Sequence, residues 1–342
     1  VVPGALLRPQ TAVSAATHGH GTPTDNIKQQ QLMSKTTTTI RLIAAAAVAA
    51  IMAACGNHQK GDGGNSGDNS RQTAVMSPFV RINIDSTMAL VSIRDNATEK
   101  KMPNRLFYGK GDSAEVEKLS PEGSVPSSVS CFIIETQGKR ALFDTGVGKA
   151  NGGVLMDRLK SLGIKPESID YIFITHFHND HTGGLTDNGK AAFSRAQLYV
   201  PEAEYAYWAG AGGKGSTAIK AVGAYGNRLH RFGYGDKLPL GVKPMAAPGH
   251  TPGHTVYIAG RVMIMGDLFH GLPLQIQDLN LCADYDMDRT KAIESRNKYT
   301  LMAVHNGMMA AGMHFFGTGM VDFKMNERDM EHKSFEHNLP KR

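Results

Sequence analysis

Three histidines and an aspartate stand within the six residues 176–181 (HFHNDH). The apolar, β-prone residues 171–175 (YIFIT) lead directly into them, which is typical of a buried strand that ends at a ligand-bearing loop. His176 and His178 can face one cation from an extended or tightly turned backbone, while Asp180 and His181 can turn toward a second. Imidazole and carboxylate groups are typical ligands of zinc and related divalent ions. We therefore interpret the run as a metal site rather than a histidine-rich surface loop.

The composition argues against a nucleic-acid-binding protein and against a disulfide-rich protein. The 342 residues carry a formal net charge of +6, and the basic residues are scattered rather than gathered into a tract with interleaved aromatics. Binding of nucleic acid is therefore disfavoured. The three cysteines, Cys55, Cys131 and Cys282, form neither a C-x-x-C pattern nor a disulfide framework. Cys131 begins an apolar run, so we expect a small buried residue rather than a nucleophile.

The first 77 residues differ from the rest of the chain. We treat residues 1–32, which are polar and aperiodic, as an upstream disordered extension and exclude them from fold reasoning. In residues 33–55, positive charge precedes an apolar run that ends in small residues and Cys55, and this pattern resembles a bacterial lipoprotein signal. A short alanine-rich helix is the alternative. Residues 56–77 are rich in Gly, Asn, Asp and Ser and predict a flexible tether. The signal would place the domain in the periplasm, within a bacterial cell envelope. Lipid on Cys55 would anchor the domain to the outer membrane.

Residues 78–342 predict one α/β domain with mixed sheets, because strand patterns dominate each half and helices lie between them. Residues 210–226, rich in glycine and alanine, predict a loop beside the site. Predicted strands cover residues 88–93, 130–135, 140–143, 197–200, 242–247, 255–258, 262–265 and 308–311. Predicted helices cover residues 154–162, 201–208 and 288–303, with Asp288 as the N-cap of the last.

Three residues outside the HFHNDH run have the character of further ligands. His250 lies in a Pro-Gly-His-Thr turn between two strands, and Asp267 ends an apolar strand, where an unpaired carboxylate is costly unless it meets a cation. His314 follows the last predicted strand. His254, in a duplicated Pro-Gly-His, is the rival of His250, and His305, at the end of a helix, is the rival of His314; we favour His250 and His314.

The H-x-H-x-D-H pattern, with these later residues in this order, resembles the metallo-β-lactamase superfamily of metallohydrolases. The resemblance implies an αββα sandwich of two mixed β-sheets flanked by helices, and two Zn2+ ions, with other divalent metals possible. His176, His178 and His250 would hold the first ion and Asp180, His181 and His314 the second, with Asp267 bridging both. Asp144, in the turn Asp-Thr-Gly, would hydrogen-bond the backbone of the metal loop.

The same resemblance implies a dinuclear zinc-dependent hydrolase that uses a metal-bridging hydroxide to cleave an ester, lactone or phosphotriester. Asp180, Asp267 and His270 are then the expected catalytic side chains, and the partner is a small-molecule substrate, with a homodimer as a possible assembly. The segments at 266–270 (GDLFH) and 311–317 (AGMHFFG) resemble those of methyl parathion hydrolase and its lactonase-like relatives. Acyl-homoserine lactonases often carry tyrosine where this chain has His270.

Other functions of the same fold stay open. A mononuclear-iron redox protein, a glyoxalase II-like thioesterase and a metal-binding protein without catalysis would each retain most of these ligands. Trp208, Tyr205 and Phe177 are candidates for the aromatic wall of a substrate pocket, with burial in the core as the alternative.

Overall fold

The computed structural model describes residues 77–109, 111–210 and 216–323. The predicted extension, signal and tether lie outside these residues, apart from Ser77, and so does Cys55; those assignments stay predictions. In the described part of the chain, no helix is both long enough and apolar enough to cross a membrane.

Sixteen strands occur in the described residues. In chain order they are β1 (Phe79–Asn83), β2 (Met88–Arg94), β3 (Lys100–Pro103), β4 (Ser124–Ser127), β5 (Ser130–Thr136), β6 (Lys139–Phe143), β7 (Tyr171–Phe173), β8 (Thr186–Asp187), β9 (Lys190–Ala191), β10 (Gln197–Pro201), β11 (Leu229–Phe232), β12 (Lys243–Ala246), β13 (Thr255–Ala259), β14 (Val262–Gly266), β15 (Met309–Gly312) and β16 (Met320–Asp322). The α-helices are α1 (Ser113–Leu119), α2 (Leu155–Ser161), α3 (Asn179–Thr182), α4 (Glu202–Ala209), α5 (Thr217–Gly223), α6 (Leu272–Gln275) and α7 (Arg289–His305).

Two mixed sheets form the centre of the fold. The larger has the order β1-β2-β5-β6-β7-β10-β11, and its pairs are antiparallel up to β6 and parallel from β6 onward. The smaller has the order β12-β13-β14-β15-β16, with one parallel pair between β14 and β15. Two further pairs, β3-β4 and β8-β9, are separate ribbons. This arrangement agrees with the predicted α/β class with two mixed sheets.

Strands β5 and β6 show how local sequence sets this geometry. Gln137 (φ 53°) and Gly138 (φ 70°) connect them in a two-residue turn, and positive φ at both positions is what a tight hairpin requires. Residues 131–134 of β5 are apolar and buried, so both faces of this part of the strand are covered. Continuous apolar character is typical of a strand that is covered on both faces.

Three apolar clusters separate four layers. Between the sheets, Phe132, Phe143 and Phe173 of the larger sheet pack against Tyr257 and Ile264 of the smaller one. The outer face of the larger sheet packs on α2 and α5, and the outer face of the smaller sheet packs on α7. Helix, sheet, sheet and helix therefore follow one another, which confirms the predicted αββα sandwich.

The prediction of a loop over residues 210–226 is wrong in part. Helix α5 occupies Thr217–Gly223, and the Ser216 hydroxyl caps it by accepting a hydrogen bond from the Ala218 amide. Ala218 and Val222, four residues apart, are buried against the core of the larger sheet. Tertiary packing of one helical face therefore outweighs the weak helix propensity of this glycine-rich segment. The sequence analysis also did not predict seven strands, which are β1, β3, β4, β8, β9, β11 and β16.

Replacement of Val222 by alanine is expected to lower the free energy of unfolding by about 2 kcal/mol, because the substitution removes two methyl groups from a fully buried position. Urea denaturation measures the change. Lys220→Ala, on the exposed face of the same helix, is the control and should leave the midpoint unchanged. Equal stability of the two variants would contradict the anchoring of α5 through Val222.

Candidate metal centre

The centre lies where strands of both sheets end. Residues 176–181 follow β7, and helix α3 begins inside that run with His178 as its N-cap. His250 lies in the loop between β12 and β13, Asp267 directly follows β14, and His314 follows β15. Because β14 and β15 are parallel neighbours, their carboxyl ends meet at one edge of the smaller sheet. All seven predicted ligands are thereby brought together, although each arises from a short local sequence.

Three imidazoles converge on one point. The His250 Nε2 atom lies 2.8 Å from His178 Nδ1 and 3.1 Å from His176 Nε2, and the latter two atoms are 3.0 Å apart. Together with Asp267, these histidines form a group whose ligand atoms all lie within 4.8 Å of one another. We call His176, His178 and His250 the first trio.

Asp180, His181 and His314 form a second group with the same tight spacing, the second trio. The Asp180 carboxylate lies 3.7 Å from His181 Nε2 and 3.5 Å from His314 Nε2. Asp267 stands between the trios. Its Oδ1 atom is 3.2 Å from His181 Nε2, and its Oδ2 atom is 3.0 Å from His314 Nε2 and 3.4 Å from His250 Nε2.

Hydrogen bonds on the far side of three rings fix which nitrogen faces the centre. Carboxylate and carbonyl oxygens only accept hydrogen bonds, so an Nδ1 atom that contacts one carries the hydrogen, and Nε2 of the neutral ring presents its lone pair inward. The three contacts are His250 Nδ1 to Asp286 Oδ1 at 3.0 Å, His181 Nδ1 to Asp144 Oδ2 at 2.6 Å and His314 Nδ1 to the Ser128 carbonyl at 2.7 Å.

Lone pairs that point at one another and at carboxylate oxygens repel unless a cation lies between them. The His181 Nε2 and Asp267 Oδ1 atoms are fully buried and make no hydrogen bond among the described residues. Buried polar atoms without partners are rare in proteins. The donor set of imidazole nitrogen and carboxylate oxygen therefore fits two divalent cations of the zinc class. The roles of these residues as zinc ligands stay predictions.

The electrostatics of the two trios differ. Burial lowers the pKa of His178 and that of His250 to about 4, so both rings are neutral and available as ligands at pH 7. Burial also acts on His181, but the carboxylates of Asp267 and Asp144 raise its pKa well above the ordinary value. The second trio therefore favours positive charge, which a metal ion would supply in place of a proton.

Asp267 is held through its backbone as well as its side chain. Its amide donates to His254 Nε2 at 2.9 Å, while His254 Nδ1 donates to the Ala247 carbonyl at 3.0 Å. Gly266 precedes it with φ 54°, and a Cβ there would meet His254 Nε2 at 2.3 Å, so only glycine fits. His254 thus supports the strand end and does not replace His250 in the first trio.

His270 is the most unusual side chain of the centre. It is 1% exposed, and neither ring nitrogen makes a hydrogen bond among the described residues. Its Nε2 atom lies 3.3 Å from Asp267 Oδ2, and its ring stacks on His314 and contacts Tyr285 at a centroid separation of 5.5 Å. A buried imidazole with two unsatisfied nitrogens is available for a metal or a substrate oxygen.

The remaining sequence candidates lie in different surroundings. His305 is exposed at the end of α7, which leaves His314 as the residue of the second trio. Phe177 is buried in the core, and Tyr205 packs against the same core. Trp208 packs there too, but its ring also stands edge-on to His178 at a centroid separation of 5.7 Å. Of the three aromatics, Trp208 is thus the one placed against a predicted ligand.

Sequence reasoning did not assign several residues that hold the ligands in place. Their common feature is a buried polar group directed at a ligand loop; they are Ser128, Glu204, Asp286 and Arg296. Glu204 gave no signal, because it lies in a helix among other acidic and aromatic residues. Asp144 was predicted to bond the backbone of the metal loop, and its carboxylate does accept from the Thr175 amide at 2.8 Å.

The family model of the metallo-β-lactamase superfamily matches residues 125–303. That range is more than half of the 342 residues and includes every predicted ligand except His314. The chain belongs to the metallo-β-lactamase superfamily.

Curated relatives of this superfamily member include hydrolases. An N-acyl homoserine lactonase of Bacillus cereus is 31% identical over 159 residues, which cover 40% of this chain and 60% of that protein. A hydroxyacylglutathione hydrolase of Dechloromonas aromatica is 31% identical over 150 residues, which cover 41% of this chain and 48% of that protein. The chain thus spans about half to three fifths of the length of these relatives.

Two solved structures share the fold. A hydrolase of the beta-lactamase superfamily, AbOPH, has a TM-score of 0.65 at 24% identity, and the match covers 73% of this chain and 94% of that one. AidC, a dizinc quorum-quenching lactonase, has a TM-score of 0.66 at 23% identity, with 74% and 95% covered. At this level of identity the likeness concerns the fold.

Proposed function

We propose that this metallo-β-lactamase-fold protein is a dinuclear zinc-dependent hydrolase of an ester, lactone or phosphotriester. The observation that carries the proposal is the pair of trios with Asp267 between them, in which the buried His181 Nε2 and Asp267 Oδ1 atoms make no hydrogen bond among the described residues. His176, His178 and His250 would hold one ion, Asp180, His181 and His314 the other, and Asp267 would contact both.

Two divalent cations held there would act as Lewis acids and would lower the pKa of water toward neutrality. Asp267 is buried and is placed to hold both halves of the centre at a fixed separation. The Asp180 side chain is 28% exposed, so its carboxylate is the acidic group of the centre that solvent and a substrate can reach. We assign it the acceptance of a proton from the attacking water. Trp208 would form one side of the substrate cavity.

His270 is assigned to bind a substrate oxygen. Its two unpartnered ring nitrogens are within the centre, and an N–H there can donate to the oxygen on which negative charge develops. This is the position at which acyl-homoserine lactonases often carry tyrosine, and both side chains can donate one hydrogen bond. The imidazole of His270 places its N–H donor at a different point from a tyrosine hydroxyl. The two side chains would therefore favour different substrates.

His270→Phe is expected to retain two metal ions per chain and to lower kcat/KM by about 100-fold, the loss typical of one missing donor to a developing oxyanion. Elemental analysis and steady-state kinetics on the same preparation measure both quantities. His230→Phe, on the edge strand β11, is the control and should change neither. A loss of metal in His270→Phe would instead make His270 a ligand, since it also groups with Asp267 and His314.

Elemental analysis of the purified protein, followed by a screen of aryl esters, lactones, thioesters and phosphotriesters, tests the proposal. Two zinc-class ions per chain and turnover of at least one of these bonds would support it. Turnover of thioesters alone would favour the glyoxalase II-like alternative. One iron per chain would favour a redox protein, and a folded protein without metal would refute the hydrolase.

A further inference from the structure

Glu204 is a fully buried carboxylate that accepts four hydrogen bonds, two at each oxygen. The Phe177 amide and the Trp208 indole N–H donate to Oε1 at 2.9 Å and 2.6 Å. The Thr251 hydroxyl and the Gly253 amide donate to Oε2 at 2.8 Å and 2.9 Å. All four donors are uncharged, so this buried carboxylate is stabilised by the N–H and O–H dipoles that converge on its two oxygens.

The four donors belong to two loops and to helix α4. Phe177 lies between His176 and His178, while Thr251 follows His250 directly. Glu204 itself lies on α4, which follows the larger sheet, and the second loop connects strands of the smaller sheet. One carboxylate thus bonds a sequence neighbour of every member of the first trio, through the Phe177 amide and the Thr251 hydroxyl.

The packing around Gly253 holds this link at a fixed distance. A Cβ on Gly253 would meet the Glu204 backbone nitrogen at 2.1 Å and its Cα at 2.5 Å, so the loop and helix α4 are in direct backbone contact. Trp208, one turn further along α4, is fixed by its bond to Glu204 and stands edge-on to His178. The link therefore also orients the aromatic side of the centre.

We propose that Glu204 is a positioning residue for the first metal ion, acting through the backbones of the two loops that carry His176, His178 and His250. No member of the second trio is adjacent in sequence to a residue that bonds Glu204. Asp180 and His181 lie at the far end of the same run, where Asp144 contacts His181 Nδ1 and the Thr145 hydroxyl donates to the His181 carbonyl at 2.9 Å. This inference rests on the proposed metal centre. It adds that the zinc affinity of the first site depends on Glu204, which is not a ligand.

Glu204→Gln tests the dependence. The amide keeps the volume but presents N–H groups at one end, so it opposes either the Phe177 and Trp208 donors or the Thr251 and Gly253 donors. Partners behind metal ligands typically contribute about 10- to 100-fold in metal affinity. We expect a loss of that size at the first site and no loss at the second.

Zinc competition against a chelator, in two backgrounds of the full chain, separates the sites. His314→Ala leaves the first trio intact, and there Glu204→Gln should weaken zinc binding by about 10- to 100-fold. His250→Ala leaves the second trio intact, and there zinc affinity should not change. An equal loss in both backgrounds, or none in either, would overturn the inference. Absence of zinc binding by the wild-type protein would instead overturn the proposed metal centre.

A second pair of variants covers the case in which Glu204→Gln does not fold. Thr251→Val removes one donor to Glu204 with little change of volume and should weaken only the first site. Thr145→Val, equally buried, removes the hydroxyl that holds the His181 loop and should weaken only the second site. Asp95→Asn is the control for the general cost of altering a buried hydrogen-bonding side chain. The Asp95 carboxylate accepts from the Val147 and Leu155 amides, and its replacement should not discriminate between the two metal sites. The inference fails if Thr251→Val and Thr145→Val have the same site preference.

Discussion

Asp267→Ala is expected to lower the metal content from two ions per chain to one or none and to reduce kcat/KM by about 10³-fold or more. The reduction corresponds to the several kcal/mol of charge stabilisation that metal ions contribute to hydrolysis. Asp267 is the carboxylate that faces both trios and His270. Its oxygens lie within 3.7 Å of inward nitrogen atoms of His176, His181, His250, His270 and His314.

Elemental analysis and kinetics on both Asp267→Ala and Asp267→Asn would distinguish the effect of losing the negative charge from the effect of changing the side-chain shape. The asparagine retains the volume and one oxygen but loses the negative charge, so we expect the same direction of change. Asp170→Asn is the control, since Asp170 pairs with Lys139 on the surface of the larger sheet and should not affect metal content. Two fully retained ions in Asp267→Ala would contradict the assignment of Asp267 between both sites.

Arg296→Met is expected to lower the free energy of unfolding by about 3–5 kcal/mol, the cost of breaking a buried ion pair by removal of one partner. Arg296 is 0% exposed, and its Nη2 atom lies 3.1 Å from Asp286 Oδ2. The guanidinium also donates to the carbonyls of Leu268, Leu279 and Leu281. The variant would leave a buried carboxylate without its cation and three carbonyls without their donor.

Urea denaturation of the metal-free protein measures this loss without a contribution from metal binding. Lys139→Met removes the cation of the exposed pair with Asp170 and should change stability little, because solvent screens such pairs. Asp286 also accepts from His250 Nδ1, so Arg296→Met should in addition weaken zinc binding at the first site. A stability loss no larger than that of Lys139→Met would show that Arg296 is not needed for folding.

Local patterns in the sequence predicted much of the fold. The strands over 130–135 and 140–143, the helix over 288–303 and its N-cap Asp288 occur close to their predicted positions. These features depend on residues that are near one another along the chain, through alternation, turn geometry and capping. Helix α5 was missed because its stability comes from contacts of Ala218 and Val222 with the distant larger sheet.

The candidate ligands could be named from sequence because each one stands at the end of an apolar strand or in a glycine-proline turn. Cys131 is buried as predicted, and burial raises the pKa of its thiol well above the ordinary value. By contrast, the sequence assigned no role to Glu204 or Arg296. Most of their partners are carbonyls, amides and a hydroxyl of remote segments, and such contacts leave no pattern of spacing.

The sequence by itself determined which residues could bind metal and which short elements deliver them, because ligand chemistry and strand or turn propensity are local properties. Only the tertiary structure decided that His270 lies beside Asp267 without a hydrogen bond among the described residues and that Glu204 links the loops of the first trio. The physical reason is that these distances depend on how two sheets pack face to face through the Phe143, Phe173 and Tyr257 core. That packing sums many small contacts between segments far apart in the chain.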